Sequence, residues 1–270
     1  GDEEPFDQEH EPDVAAGVRW GGGDVAMGIL AGLVGANLTL LLAISLSGAV
    51  TVATGRGSGI GWAVGQALTD AAPSALRTWA NLSIEWRLLG NVGLWIGLLG
   101  VTIWAVRTKG TTLRDDLGLT ATWRDVPVGL AFGAVGFAAV QLLMWPVAAL
   151  VGGDAVSAPA RSLGDSAGGP VGVALLVVMT VVVAPVVEEV FYRGLAQRAF
   201  IRRLGVRWGI VAAALVFAAL HLQDLQFPAL VLVGLLFGWL AHRHGRLGPA
   251  VFAHVGYNAV NVALLVWVLG

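Results

Sequence analysis

The chain has 270 residues, 56% hydrophobic and 13% charged, with 38 glycines, no cysteine, a mean hydropathy of +0.76 and a formal net charge of −2. A soluble domain carries about 25% charged residues and about 7% glycine, so a water-soluble globular enzyme, a disordered chain and a disulfide scaffold are excluded. The missing cysteine also excludes thiol nucleophiles and cysteine-ligated zinc or iron–sulfur sites, which leaves an all-α polytopic membrane protein whose glycines let helices approach closely.

In chain order, residues 1–17 come first and hold seven acids: Asp2, Glu3, Glu4, Asp7, Glu9, Glu11 and Asp13. Such a run repels itself and has too little apolar surface to fold, so a solvated acidic tail is expected, followed by a single transmembrane domain over residues 18–270. No basic region precedes the first apolar run, so a signal peptide is not expected. A hydrocarbon core takes about 20 apolar residues per helix. Seven segments meet or approach this length: Val25–Ala53, Leu89–Val106, Val126–Val151, Val171–Phe200, Trp208–Leu222, Phe227–Ala241 and Leu247–Leu269. The fifth and sixth are joined by a few residues only and should form a tight hairpin. Between the first two spans, Ala63, Leu68, Leu76, Trp79, Leu82 and Trp86 are spaced to make one apolar face, which predicts a surface-lying amphipathic helix within residues 54–88.

Lysine and arginine orient the bundle. One side collects Arg19, the cluster from Arg107 to Arg124, the cluster from Arg193 to Arg207, and Arg243 with Arg246. The other side has Arg56, Arg77, Arg87 and Arg161, a split of 12 against four. The N-terminus is therefore expected to be cytoplasmic. Trp20, Trp104, Trp123, Trp145, Trp208, Trp239 and Trp267 fall near span ends, as in an aromatic belt.

Ionisable side chains inside spans cost about 2.5–3.5 kcal/mol each on insertion scales, so they need a partner or a task. Glu188, Glu189 and Arg193 lie in the run PVVEEVFYRG, His221 ends Phe217-Ala-Ala-Leu-His, and His254-Val-Gly-Tyr-Asn258 lies in the last span. Glu189 and Arg193 are four apart, the spacing that supports an ion pair, while Glu188 is turned about 100° away. An unpaired buried carboxylate must take up a proton, meet a cationic histidine or bind a metal, and each option makes Glu188 a candidate general base. His254 and Asn258 share a face, and His221 approaches from another helix. Taken singly, each residue has an ordinary structural reading: interfacial charge, a hydrogen-bonded histidine, interhelical glue. It is their conjunction that points to chemistry.

EEVFYR, FAALH and HVGYN resemble, in order, the E-E-x-x-x-R, F-x-x-x-H and H-x-x-x-N signatures of the CPBP family, the type II CAAX prenyl endopeptidases and bacteriocin-processing proteins. The resemblance covers residues 171–269, and the stretch from Asp116 to Asp125 is similar to the family's approach to that half. It implies an intramembrane endopeptidase in which Glu188 and His221 activate water, His254 and Asn258 stabilise the oxyanion, and Glu189, Arg193 and Phe217 support the site. Such proteins are commonly labelled metalloproteases. Glu188, His221 and His254 are thus candidate ligands for Zn2+, although H-E-x-x-H is missing, and zinc-bound and metal-free water both remain open. A G-x-S-G motif inside a span is absent, and the G-x-G-D at Gly21–Asp24 has no second aspartate partner, so serine and aspartyl intramembrane chemistries are not supported. The implied partners are membrane lipid and a membrane-associated peptide or protein; nothing suggests nucleic acid. One lysine beside fifteen arginines suggests a bacterial plasma membrane, with a bacterial peptide or membrane protein as substrate rather than a prenylated one. The alternative of a different class is a non-catalytic membrane partner or bacteriocin-immunity protein of the same fold. A small-solute transporter is disfavoured because the charge is clustered.

Overall fold

The computed structural model describes residues 19–54 and 84–269. Eight helical elements follow: α1 (Gly22–Thr54), α2 (Ile84–Lys109), α3 (Leu113–Leu117), α4 (Asp125–Val151), α5 (Gly153–Asp165), α6 (Pro170–Leu220), α7 (Phe227–His244) and α8 (Gly248–Leu269). Among the described residues six helices, α1, α2, α4, α6, α7 and α8, are long and apolar enough to cross a membrane. Large apolar side chains such as Leu30, Leu38, Leu142 and Leu150 stand exposed on their outer faces. Water would not tolerate so continuous an apolar surface, whereas lipid chains match it.

The fourth of these, α6, is two arms rather than one straight span. Its 51 residues would run about 75 Å if straight, against a hydrocarbon core of about 30 Å. Gly205, at φ 75° and ψ 169°, breaks the run. That conformation is essentially glycine's alone, and it folds the second arm back on the first. The reversal is tight: a Cβ placed on Gly209 would lie 2.5 Å from the backbone nitrogen of Ile201. The rings of Tyr192 and Phe217, one on each arm, meet edge to face at 5.1 Å.

Three expectations change. First, α2 begins at Ile84, so Trp86 belongs to a span; the remainder of the expected amphipathic segment and the acidic tail lie outside the described residues. Second, α5 forms between the third and fourth expected spans, where the sequence reading placed no element. It is held at the bundle end by tertiary bonds, with Arg87 Nη2 donating to Ser162 Oγ at 2.9 Å and Gln226 Nε2 to the Val156 carbonyl at 2.5 Å. Third, Trp20 is no belt residue. It is fully buried and its indole N–H donates to the Leu195 carbonyl at 3.0 Å, pinning the start of α1 to α6. The other six tryptophans named above are exposed.

At one end of the bundle Lys109 Nζ meets Asp24 Oδ1 at 2.5 Å, Arg246 pairs with Asp125, and Arg198 Nη2 donates to the Gly245 carbonyl at 3.3 Å. These contacts gather the entry to α1, the exit of α2, the entry to α4 and the α7–α8 turn. Members of the basic clusters that the sequence assigns to one face thus share one end.

Candidate active site

The first arm of α6 is irregular where its charges lie. Val178–Val183 and Val190–Gln197 are π-helical, and Ala184–Glu189 between them is α-helical. A π-helical stretch inserts into the regular ladder, leaves carbonyls available to other donors, and is frequent at functional sites. Here the Thr180 carbonyl accepts from Asn258 Nδ2 at 2.8 Å, which ties α8 to α6.

Glu189 is fully buried, and both its partners meet one oxygen, Oε1, while Oε2 has no hydrogen-bond partner. Arg193 Nη1 donates to its Oε1 at 2.8 Å, and His254 Nδ1 lies 2.9 Å from the same oxygen. The four-residue spacing is thus realised as an ion pair, with an imidazole from 65 residues away added to it. Arg193 also donates from Nη2 to the Gly234 carbonyl at 3.2 Å. Its guanidinium lies 4.7 Å from the Phe217 ring centre and 5.5 Å from that of Phe237. Desolvated cation–π contacts of this kind contribute about 2 kcal/mol. The His254 ring stacks on Phe237 at 4.8 Å and 27° and meets the edge of Phe217 at 6.0 Å.

Glu188 differs from its neighbour. Its side chain retains 19% exposure, and Oε2 stands 3.9 Å from His254 Nε2. That gap is too long for a direct hydrogen bond and suits a water molecule or a substrate atom bonded to both groups. His221 caps the second arm, with Nδ1 at 2.7 Å from the Phe217 carbonyl. A carbonyl oxygen only accepts, so Nδ1 carries the proton and Nε2 is left free of that bond. The His221 ring lies 4.5 Å from that of Phe217.

The structure therefore brings Glu188, Glu189, Arg193, Phe217 and His254 into one cluster and attaches His221 to it through Phe217. Asn258, one turn beyond His254, gives one amide proton to the Thr180 carbonyl and has a second to donate. Among the described residues no group of three histidine, aspartate or glutamate side chains is spaced to hold a metal ion. As placed, Glu188, His221 and His254 do not make a zinc set. Sequence reasoning missed Phe237, Gly234 and Thr180, which lie in uniformly apolar stretches; the repeated Gly234 and Gly238, four residues apart, were the one available signal.

Residues 170–260 match the family model described as Rce1-like, type II CAAX prenyl endopeptidase. The match, over about a third of the chain, supports assignment to the CPBP family. No curated protein and no solved structure matches the chain. The matched stretch contains the whole cluster, from Thr180 to Asn258, and the family it matches is one of intramembrane CAAX-type endopeptidases. Helices α1 to α5 lie outside the match and pack around it.

Proposed function

We propose that this protein hydrolyses a peptide bond of a membrane-associated protein or peptide, with Glu188 and His221 activating water and His254 and Asn258 stabilising the oxyanion. One observation carries the reading: Glu189 is committed to Arg193 and His254, so Glu188 is the carboxylate of the pair that keeps an accessible oxygen, and it faces His254 Nε2. The scheme takes His254 as the imidazolium. Its Nδ1–H is then donated to Glu189 and its Nε2–H is left to donate.

In this mechanism a water held by Glu188 passes a proton to that carboxylate, with the His221 Nε2 lone pair as a second acceptor. The hydroxide oxygen forms a bond to the scissile carbonyl carbon as the carbonyl π electrons move onto oxygen. His254 Nε2–H and the second Asn258 amide proton bond to that oxygen. Placing donors where charge develops is commonly the largest electrostatic contribution to acyl transfer. On collapse the C–N bond breaks and the proton held by Glu188 goes to the leaving amine. None of these steps is routed through a metal, so hydrolysis should continue at an unchanged rate in 1,10-phenanthroline; a loss restored by added zinc would contradict the scheme.

The split of lysine and arginine supports a cytoplasmic basic end, and one lysine beside fifteen arginines supports a bacterial plasma membrane, with a bacterial peptide or membrane protein as substrate. The test uses the purified full chain in liposomes with two quenched-fluorescent probes, a farnesylated peptide ending Cys-aliphatic-aliphatic-X and an unprenylated peptide of one membrane span. The wild type should cleave the unprenylated probe and Glu188→Gln should not. Equal cleavage by both proteins would refute the assignment.

A further inference from the structure

The polar stripe on the first arm of α6 continues past the site. Glu189, Arg193 and Gln197 follow at four-residue intervals. Arg193 donates to the Gly234 carbonyl, and Gln197 Nε2 donates to the Gly238 carbonyl at 2.9 Å, also four residues farther along α7. Two rungs in the same register therefore join α6 to α7. The second rung leaves an acceptor unused. Gln197 is 2% exposed and its Oε1 has no hydrogen-bond partner. The amide cannot be turned the other way, because a carbonyl oxygen only accepts and Nε2 must face Gly238.

Burying an unsatisfied acceptor is destabilising, and an apolar side chain of the same length would avoid that cost. What Gln197 obtains for it is the position of the backbone at Gly238. A Cβ at that residue would lie 2.5 Å from Gln197 Oε1 and 3.1 Å from Ile210 Cγ2, so an added methyl would press on the Gln197 amide. The preceding residue, Phe237, is the ring on which His254 stacks.

We propose that Gln197 is a positioning residue for His254, acting through the Gly238 carbonyl and the Phe237 ring. The proposal rests on the reading of His254 as an oxyanion-side group. The Gln197 rung sets the axial position of α7 and keeps the Phe237 ring beneath the imidazole, so that Nε2 faces Glu188. Without the rung, Phe237 shifts, the imidazole loosens and the oxyanion donor is misplaced, while the substrate-binding surface is untouched.

The test is Gln197→Met, close in shape but lacking the donor, in the purified full chain with two readouts. Modification of His254 by diethylpyrocarbonate, followed by mass spectrometry, should be several-fold faster than in the wild type. With the unprenylated single-span peptide, kcat should fall on the order of tenfold with KM within about twofold, a split that general loss of stability would not produce. An unchanged modification rate overturns the proposal whatever the activity. If the wild type cleaves neither peptide while His254 modification still accelerates in Gln197→Met, the protease reading fails and the positioning role stands. Should Gln197→Met not fold, Gln197→Ala alone and with Gly238→Ala replaces it. The rung is already lost in the first, so His254 modification should exceed the wild-type rate and be equal in the two; a wild-type rate, or a further rise with Gly238→Ala, overturns the proposal.

Discussion

Glu188 and Glu189 are adjacent in sequence and opposite in circumstance. Glu189 holds a guanidinium and an imidazole with no exposure, while Glu188 keeps a partly accessible oxygen. Removing one partner from a buried ion pair costs about 3–5 kcal/mol because the other charge is left unpaired. Glu189→Gln should therefore lower the thermal midpoint substantially and reduce activity with it. Glu188→Gln should melt close to the wild type and lose hydrolysis by about 10²–10⁴-fold, the range for removal of a general base. Thermal unfolding in detergent and a cleavage assay on the same preparations check both, and similar melting of the two variants would contradict the division of roles. At this scale, the four-residue spacing from Glu189 to Arg193 was readable because helical geometry is local. The bond from Glu189 to His254 was not, since it spans 65 residues and depends on how α8 packs on α6.

Among the elements, α6 depends on a single backbone conformation. Glu189 and His221 are each sixteen residues from Gly205, so the fold-back brings Phe217 alongside Tyr192 and Arg193. Gly205→Ala would force a Cβ into a region that costs about 1–3 kcal/mol. It should lower the melting temperature and loosen His221 relative to Glu188, seen as a fall in kcat; unaltered stability and kcat would contradict the hairpin geometry. A second element contact is as demanding. Gly35 on α1 and Gly93 on α2 meet backbone to backbone, and a Cβ on either would run into the carbonyl of the other. Gly93→Leu should cost at least about 1–3 kcal/mol through overpacking, measured by thermal unfolding, whereas an unchanged midpoint would contradict the contact. The apolar spans could be read to within a few residues because lipid imposes one length and one composition. α5 and Trp20 could not, because tertiary bonds rather than local propensity hold them.

Among the described residues the outer surface is apolar, charges gather at the ends, and the buried cluster around Glu189 breaks that rule. The proposed orientation puts the Lys109–Asp24 and Arg246–Asp125 end in the cytoplasm. The chain contains no cysteine, so single introduced thiols report topology without background. Ala121→Cys, exposed beside the basic end, should react with a membrane-impermeant maleimide only after cells are permeabilised, and Ala155→Cys on α5 should react in intact cells. The reverse pattern would invert the orientation and leave the site unaffected.

The central claim is that Glu188 directs a water molecule at a peptide bond. Its most direct test is cleavage in H2(18)O, followed by mass spectrometry of the product. The account predicts one 18O in the new carboxylate with the wild-type protein and no product above background with Glu188→Gln. Labelled product at the wild-type rate from Glu188→Gln, or wild-type product without the label, would contradict it.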